Sequence, residues 1–214
     1  MSASCGHNAK FDGMSPDYKR RLWAVILLNA AMFGVEMTAG RLSASQALQA
    51  DALDFFADAL TYGLSLAVIG APLAIRSKAA LLKGFSLLAM GLWVFATTVY
   101  AVTLGTTPAA PVMGAIGLLA LLANLASVAL LLRYKDGDSN IRSVWLCSRN
   151  DAIGNVAVMV AAMGVWGSQT GWPDLAVATI MAGLFLSSSL QILRQAWAER
   201  RGDAPHPHSH NHTD

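Results

Sequence analysis

From residue 22 onward the chain alternates long apolar runs with short polar breaks. The runs cover about 22–40, 46–70, 79–104, 112–133, 143–166 and 174–195. Each is near the roughly 20 residues that a helix needs to cross a bilayer. The breaks read GRLSAS, GAPLAIRSK, GTTPAAP, KDGDSN and GSQTGWP. Gly, Pro, Ser and Asp concentrate there, as in turns. No run alternates polar and apolar residues as a strand would. Backbone groups cannot stay unpaired in hydrocarbon, so helices are the fit. The pattern predicts an all-α membrane protein of six transmembrane helices. It divides into an N-terminal tail at 1–21, a membrane domain at 22–198 and a C-terminal tail at 199–214.

Basic residues orient the spans. Lys10, Lys19, Arg20 and Arg21 precede the first, and Arg76, Lys78 and Lys83 surround the second connection. Arg133, Lys135 and Arg142 surround the fourth, and Arg194, Arg200 and Arg201 follow the last. The other connections hold only Arg41. An excess on alternate sides puts both termini in the cytoplasm. Trp23, Trp145 and Trp197 then sit at the inner interface, and Trp166 and Trp172 at the outer one, as an aromatic belt. The first twenty residues are polar and carry no cleaved signal peptide. The expected location is a cell membrane, the bacterial inner membrane.

Composition agrees. The chain is 55% hydrophobic and 13% charged, whereas a soluble domain carries about 25% charged residues. A net charge of +2 with no interleaved basic and aromatic residues excludes a nucleic-acid surface. Cys5 and Cys147 supply no disulfide framework.

Charged residues inside the spans change the picture. The second span contains QADALDFFADAL, with Asp51, Asp54 and Asp58. A charge at the middle of a spanning helix costs about 2.5–3.5 kcal/mol on insertion scales, so such residues face a bundle interior and mark ion or proton paths. At about 100° per residue the three fall within about a 60° arc. Asp54 and Asp58 stand at i and i+4, where two side chains can hold one ion. The fifth span has a second pair at that spacing, Cys147 and Asp151 in CSRND. Counted along their helices, both pairs lie about 12–18 Å from the cytoplasmic edge. Two ligands from each of two helices suit a tetrahedral metal such as zinc, and a thiolate favours zinc or cadmium over magnesium or manganese. Ligands must lose protons to bind, so metal and protons compete for one site.

Other polar positions carry weaker signals. Glu36 in the first span and Asp51 are candidates for a proton relay or for supporting the ligands. Asn29, Asn124 and Gln191 are expected to hydrogen-bond between helices. Arg149 lies about 200° from Cys147 on a helix and is expected to snorkel to headgroups. The tail places His206, His208, His210 and His212 at every second position, a pattern for loose metal capture or for a dispensable end. Cys5 and His7 are too few to define a site. A bundle whose Asp residues merely pair is disfavoured, because no intramembrane basic partner is evident for each.

The segments RLSASQALQADALDFFADAL, NIRSVWLCSRNDAIGNVAV and LLNAAMFGVEMTAG resemble the second, fifth and first spans of the cation diffusion facilitator, or cation efflux, family. The resemblance runs from about residue 20 to 198. It implies a secondary active transporter rather than an enzyme, exporting divalent metal from the cytoplasm against protons, usually as a homodimer in the lipid bilayer. It also implies a transport site of Asp54, Asp58, Cys147 and Asp151. Zinc is the first expectation for the cargo, with cadmium, cobalt or iron as alternatives. Family members that carry zinc commonly have His where this chain has Cys147. The chain ends soon after Arg201, so a short form lacking the family's usual C-terminal cytoplasmic domain is expected. The rival reading is a membrane metal-binding or sensing protein without transport.

Overall fold

The computed structural model describes residues 16–67, 73–132 and 139–201, with side chains over 16–67, 75, 78–132 and 151–197. Six helices follow one another: α1 (Pro16–Leu42), α2 (Gln46–Ala67), α3 (Leu73–Leu104), α4 (Ala110–Leu131), α5 (Ser139–Ser168) and α6 (Trp172–Arg201). No strand occurs among the described residues. Every predicted span is a helix. Several helices outrun the apolar stretch that predicted them, because the hydropathy pattern marks the hydrocarbon crossing and not the end of the hydrogen-bond ladder. α1 starts at Pro16, a residue suited to a helix's first turn. Its polar first turns are held by an Asp17–Arg21 ion pair of 3.0 Å at i, i+4. Arg21 also donates to the Leu130 carbonyl at the end of α4.

Five of the helices are long and apolar enough to cross a membrane. α2 is not among them, although its 22 residues span about 33 Å at 1.5 Å per residue. Its three aspartates lower its hydropathy, and its position compensates. α2 packs against all five other helices. Each buried apolar cluster includes part of it: Ala50 and Ala57 with α3 and α6, Tyr62 with α1 and α4, Ala47 and Leu48 with α4 and α5, and Phe55 with α1 and α4. Frequent alanine lets neighbours approach closely. Of its large apolar side chains only Phe56 is exposed, whereas the other helices display many, such as Leu92, Trp93, Leu122, Ile153 and Leu184. Those five helices offer the lipid-facing surface, and the acidic helix is the axis of the bundle.

Successive helices run antiparallel, so Pro16 and Arg201 share one end of the bundle, the terminal end. The α1–α2, α3–α4 and α5–α6 turns share the other, the far end. α3 and α6 form the most extensively packed pair. They meet at Gly84 and Gly91: an added Cβ would come within 2.8 Å of Leu193 at the first and 2.9 Å of Leu186 at the second. The Ser189 hydroxyl donates to the Gly84 carbonyl across this contact at 2.9 Å.

The far end is tied together by polar groups. Ala44 turns the chain with a φ of 57°, and Ser45 caps α2 by accepting a bond from the Leu48 N–H at 3.0 Å. Asp174, in the first turn of α6, reaches across to the same place. Its carboxylate accepts bonds from the Ser45 hydroxyl at 2.6 Å, the Gln46 N–H at 2.8 Å and the Ala47 N–H at 3.1 Å. The Ala109 N–H, just before α4, donates to the Ser43 carbonyl.

Candidate metal centre

The stripe of acids on α2 faces inward along its length. Asp51 is 2% exposed, and Asp54 and Asp58 are half-buried. On α5, Asp151 comes within hydrogen-bonding reach of both Asp54 and Asp58. Two separate helices therefore bring three of the four predicted ligands together. Cys147 lies one turn before Asp151 in α5, and its side chain is outside the described residues, as is that of Arg149. The tail residues His206, His208, His210 and His212, together with Cys5 and His7, also lie outside them.

The three carboxyls are neighbours and not a closed ring. The Asp151 Oδ2 is buried without a hydrogen bond of ordinary geometry. Among the described residues no three Asp, Glu, His or Cys side chains are gathered tightly enough to chelate an ion as they stand. One reason is visible at Asp58. The Tyr62 hydroxyl donates to its Oδ2 at 2.7 Å, and the Lys83 ammonium of α3 attracts it electrostatically. Lys83 is a correction to the sequence pattern: grouped there with the charges of the second connection, it gives one of the carboxylates a basic neighbour inside the bundle. It sits within α3, half-buried and turned toward the acids.

Glu36 and Asp51 also meet. Glu36 is fully buried on α1, with its carboxyl beside that of Asp51 and within electrostatic range of Asp54. Neither Glu36 oxygen has a hydrogen bond of ordinary geometry. Near the terminal end a cleft of about 480 Å³ opens between α1 and α2, lined by Lys19, Trp23, Gly63, Leu66 and Ala67. It begins at the residue next to Tyr62.

Two helix-bridging expectations fail. Gln191 is exposed, because it lies on the outer face of α6. Asn29 is buried as expected, but neither of its amide atoms has a hydrogen-bond partner among the described residues. Four buried or half-buried polar residues of this bundle carry no marked role in the sequence reading. Tyr62 continues the α2 stripe one turn beyond Asp58, and Asn155 continues the α5 stripe one turn beyond Asp151, so the i+4 rule could have found both. Asp174 follows the turn-forming Gly-Trp-Pro, where an acid at a helix start is a recognisable signal. For Lys83 the sequence offers no signal of its partner, since that depends on how α3 packs on α2.

A central acidic helix caged by five membrane-crossing helices defines a multi-pass membrane protein with its polar chemistry in the bundle interior. The family model for the cation efflux transmembrane domain matches residues 74–199, more than half of the chain. The chain belongs to the cation efflux family. Members of this family transport metal cations and are not enzymes. The matched segment contains Cys147 and Asp151, while Glu36, Asp51, Asp54 and Asp58 precede it. No curated protein matches the chain.

Proposed function

We propose that this protein exports divalent heavy-metal cations from the cytoplasm in exchange for protons, with Asp54, Asp58, Cys147 and Asp151 as the transport ligands. The observation that carries the reading is the approach of Asp151 on α5 to Asp54 and Asp58 on α2. Zinc is the first candidate for the cargo, with cadmium, cobalt or iron as alternatives. Cys147 adds a soft donor that favours the zinc–cadmium group over manganese or magnesium. The working unit is a homodimer in the bilayer.

The chemistry follows from competition. A metal binds only to deprotonated carboxylates and thiolate, so loading the site expels protons, and protons returning from the other side expel the metal. Tyr62 and Lys83 hold Asp58 when metal is absent, and an arriving cation must draw Asp58 away from them. Glu36 and Asp51 extend the acidic line toward the far end and pass protons along it. The termini face the cytoplasm, as the basic residues favour. The cleft beside Tyr62 then opens inward, while the Asp174 bonds close the far end. Alternating access would rock one group of helices against another around the fixed acids. The His206, His208, His210 and His212 tail gathers metal weakly near the inner mouth.

The test is flux. Purified protein in vesicles carrying a pH gradient should move zinc, and Asp58→Ala or Asp151→Ala should abolish that movement with membrane insertion intact. Metal binding without gradient-driven flux would make the protein a binding or sensing module instead, and wild-type flux in either variant would remove these residues from the site.

A further inference from the structure

We infer a second cation-binding station, formed by Glu36, Asp51 and Asn155, one helical turn beyond the transport acids toward the far end. Helix register carries the argument. Between α2 and α5 there are two anchoring contacts. On one side Ala47 and Leu48 pack among Val158, Ala161, Ala162 and Val165. On the other, Asp54 and Asp58 approach Asp151. Asp51 and Asn155 lie between these contacts on their respective helices and on the same inward stripes, so helix register sets them at one level. On α1, Met32 packs with Phe55, and the Phe33 ring stands 5.0 Å from that of Phe56. One turn farther along the same antiparallel pair, Glu36 meets Asp51 directly.

The three side chains share one condition. Glu36 and Asn155 are 0% exposed and Asp51 is 2% exposed. Both Glu36 oxygens and the Asp51 Oδ2 make no hydrogen bond of ordinary geometry, the two carboxyls having only each other in reach, and both amide atoms of Asn155 lack a partner among the described residues. Buried polar groups are nearly always satisfied, and a group left over calls for a water or an ion. Two carboxylates and an amide carbonyl brought to one level of the bundle by helix register are oxygen donors, the set that suits a hard divalent cation. Asn155 is the informative member. A path for protons alone has no use for an amide that carries no exchangeable charge, whereas a cation can use its carbonyl oxygen.

The station lies about one helical pitch, roughly 5 Å, from the transport acids. Two divalent ions that close repel strongly in a medium of low dielectric, so the two tiers would fill in turn. An ion leaving a centre with a thiolate would meet a harder and weaker set before release. This role rests on the export reading, but the site itself does not.

The test is direct binding of manganese, a hard ion with a paramagnetic signal. The full-length chain in detergent carries Asp58→Asn and Asp151→Asn to disable the transport centre. Titration with Mn2+, followed by loss of the free-ion resonance, should show one saturable site per chain. Adding Glu36→Gln or Asn155→Leu should weaken that site at least tenfold. Asn155→Asp, which supplies a third carboxylate, should tighten it by a similar factor, and this variant keeps the test decisive if Asn155→Leu does not fold. No saturable Mn2+ site in the double variant overturns the station, as does a site indifferent to both Glu36→Gln and Asn155→Asp. Zinc flux by the wild type with no Mn2+ site in the double variant removes the station alone. An Asn155-dependent Mn2+ site in a protein without flux removes the export reading alone.

Discussion

Removing the Asp174 carboxylate should loosen the far end of the bundle by a calculable amount. The group is 1% exposed and accepts three hydrogen bonds from the start of α2, from the Ser45 hydroxyl and the Gln46 and Ala47 N–H groups. Asp174→Ala leaves two backbone N–H groups without that acceptor, at about 1–3 kcal/mol each when they stay buried. It also removes a negative charge from the positive end of the α2 dipole, worth about 0.3–1 kcal/mol. Some relief comes from water reaching the helix start, so the expected loss is about 2–5 kcal/mol. The assay is reversible unfolding of the purified protein in detergent. Ser45→Ala loses one bond to Asp174 and the cap on Leu48, and should cost about 1–2 kcal/mol. The double variant should lose less than the two single losses added, because both act on one network. A loss below about 0.5 kcal/mol for Asp174→Ala, or strictly additive losses, would refute the view that this carboxylate ties α6 to α2.

Three further expectations concern the centre and its supports. Cys147→Ser should weaken cadmium transport more than manganese transport, and an equal effect on both would take the thiol out of the coordination sphere. Tyr62→Phe deletes the 2.7 Å bond to Asp58 and with it a competitor for that carboxylate; zinc affinity by calorimetry should rise roughly two- to thirteenfold, the value of a bond of about 0.5–1.5 kcal/mol, and an unchanged or lower affinity would contradict this role. Gly91→Val drives a side chain into Leu186, whose side-chain and backbone atoms already lie 2.9–3.2 Å from the added Cβ, so thermal unfolding should register a loss of about 1–3 kcal/mol, while the same change at Gly183, which has open space around it, should cost less.

Much of this architecture was legible in the residues. Apolar run length gave the number of helices because hydrocarbon thickness fixes it. The i, i+4 spacing of Asp54 and Asp58 defined an inward stripe, and equal depth predicted that Asp151 would reach it. What stayed hidden depends on packing between distant segments. Lys83 reads as a surface charge until α3 is laid against α2. Asp174 reads as an ordinary first-turn acid, yet it caps a helix more than a hundred residues earlier in the chain. Asn29 and Gln191 are both polar residues in apolar runs, and only the rotation of each helix distinguishes the buried one from the exposed one. The extra turns at the ends of α1 and α6 were missed because interfacial residues remain helical after hydrophobicity has ended.

The axial position of α2 has a consequence for biogenesis. A segment with three carboxylates in mid-membrane partitions poorly from a translocon into lipid on its own, and among the described residues its aspartates find company from other helices in α1, α3 and α5. The first two helices should therefore leave the translocon as a hairpin, and α2 should settle only after α5 has been synthesised. Nascent chains stalled before that point would display an unsheltered acidic helix, a ready target for membrane quality-control proteases.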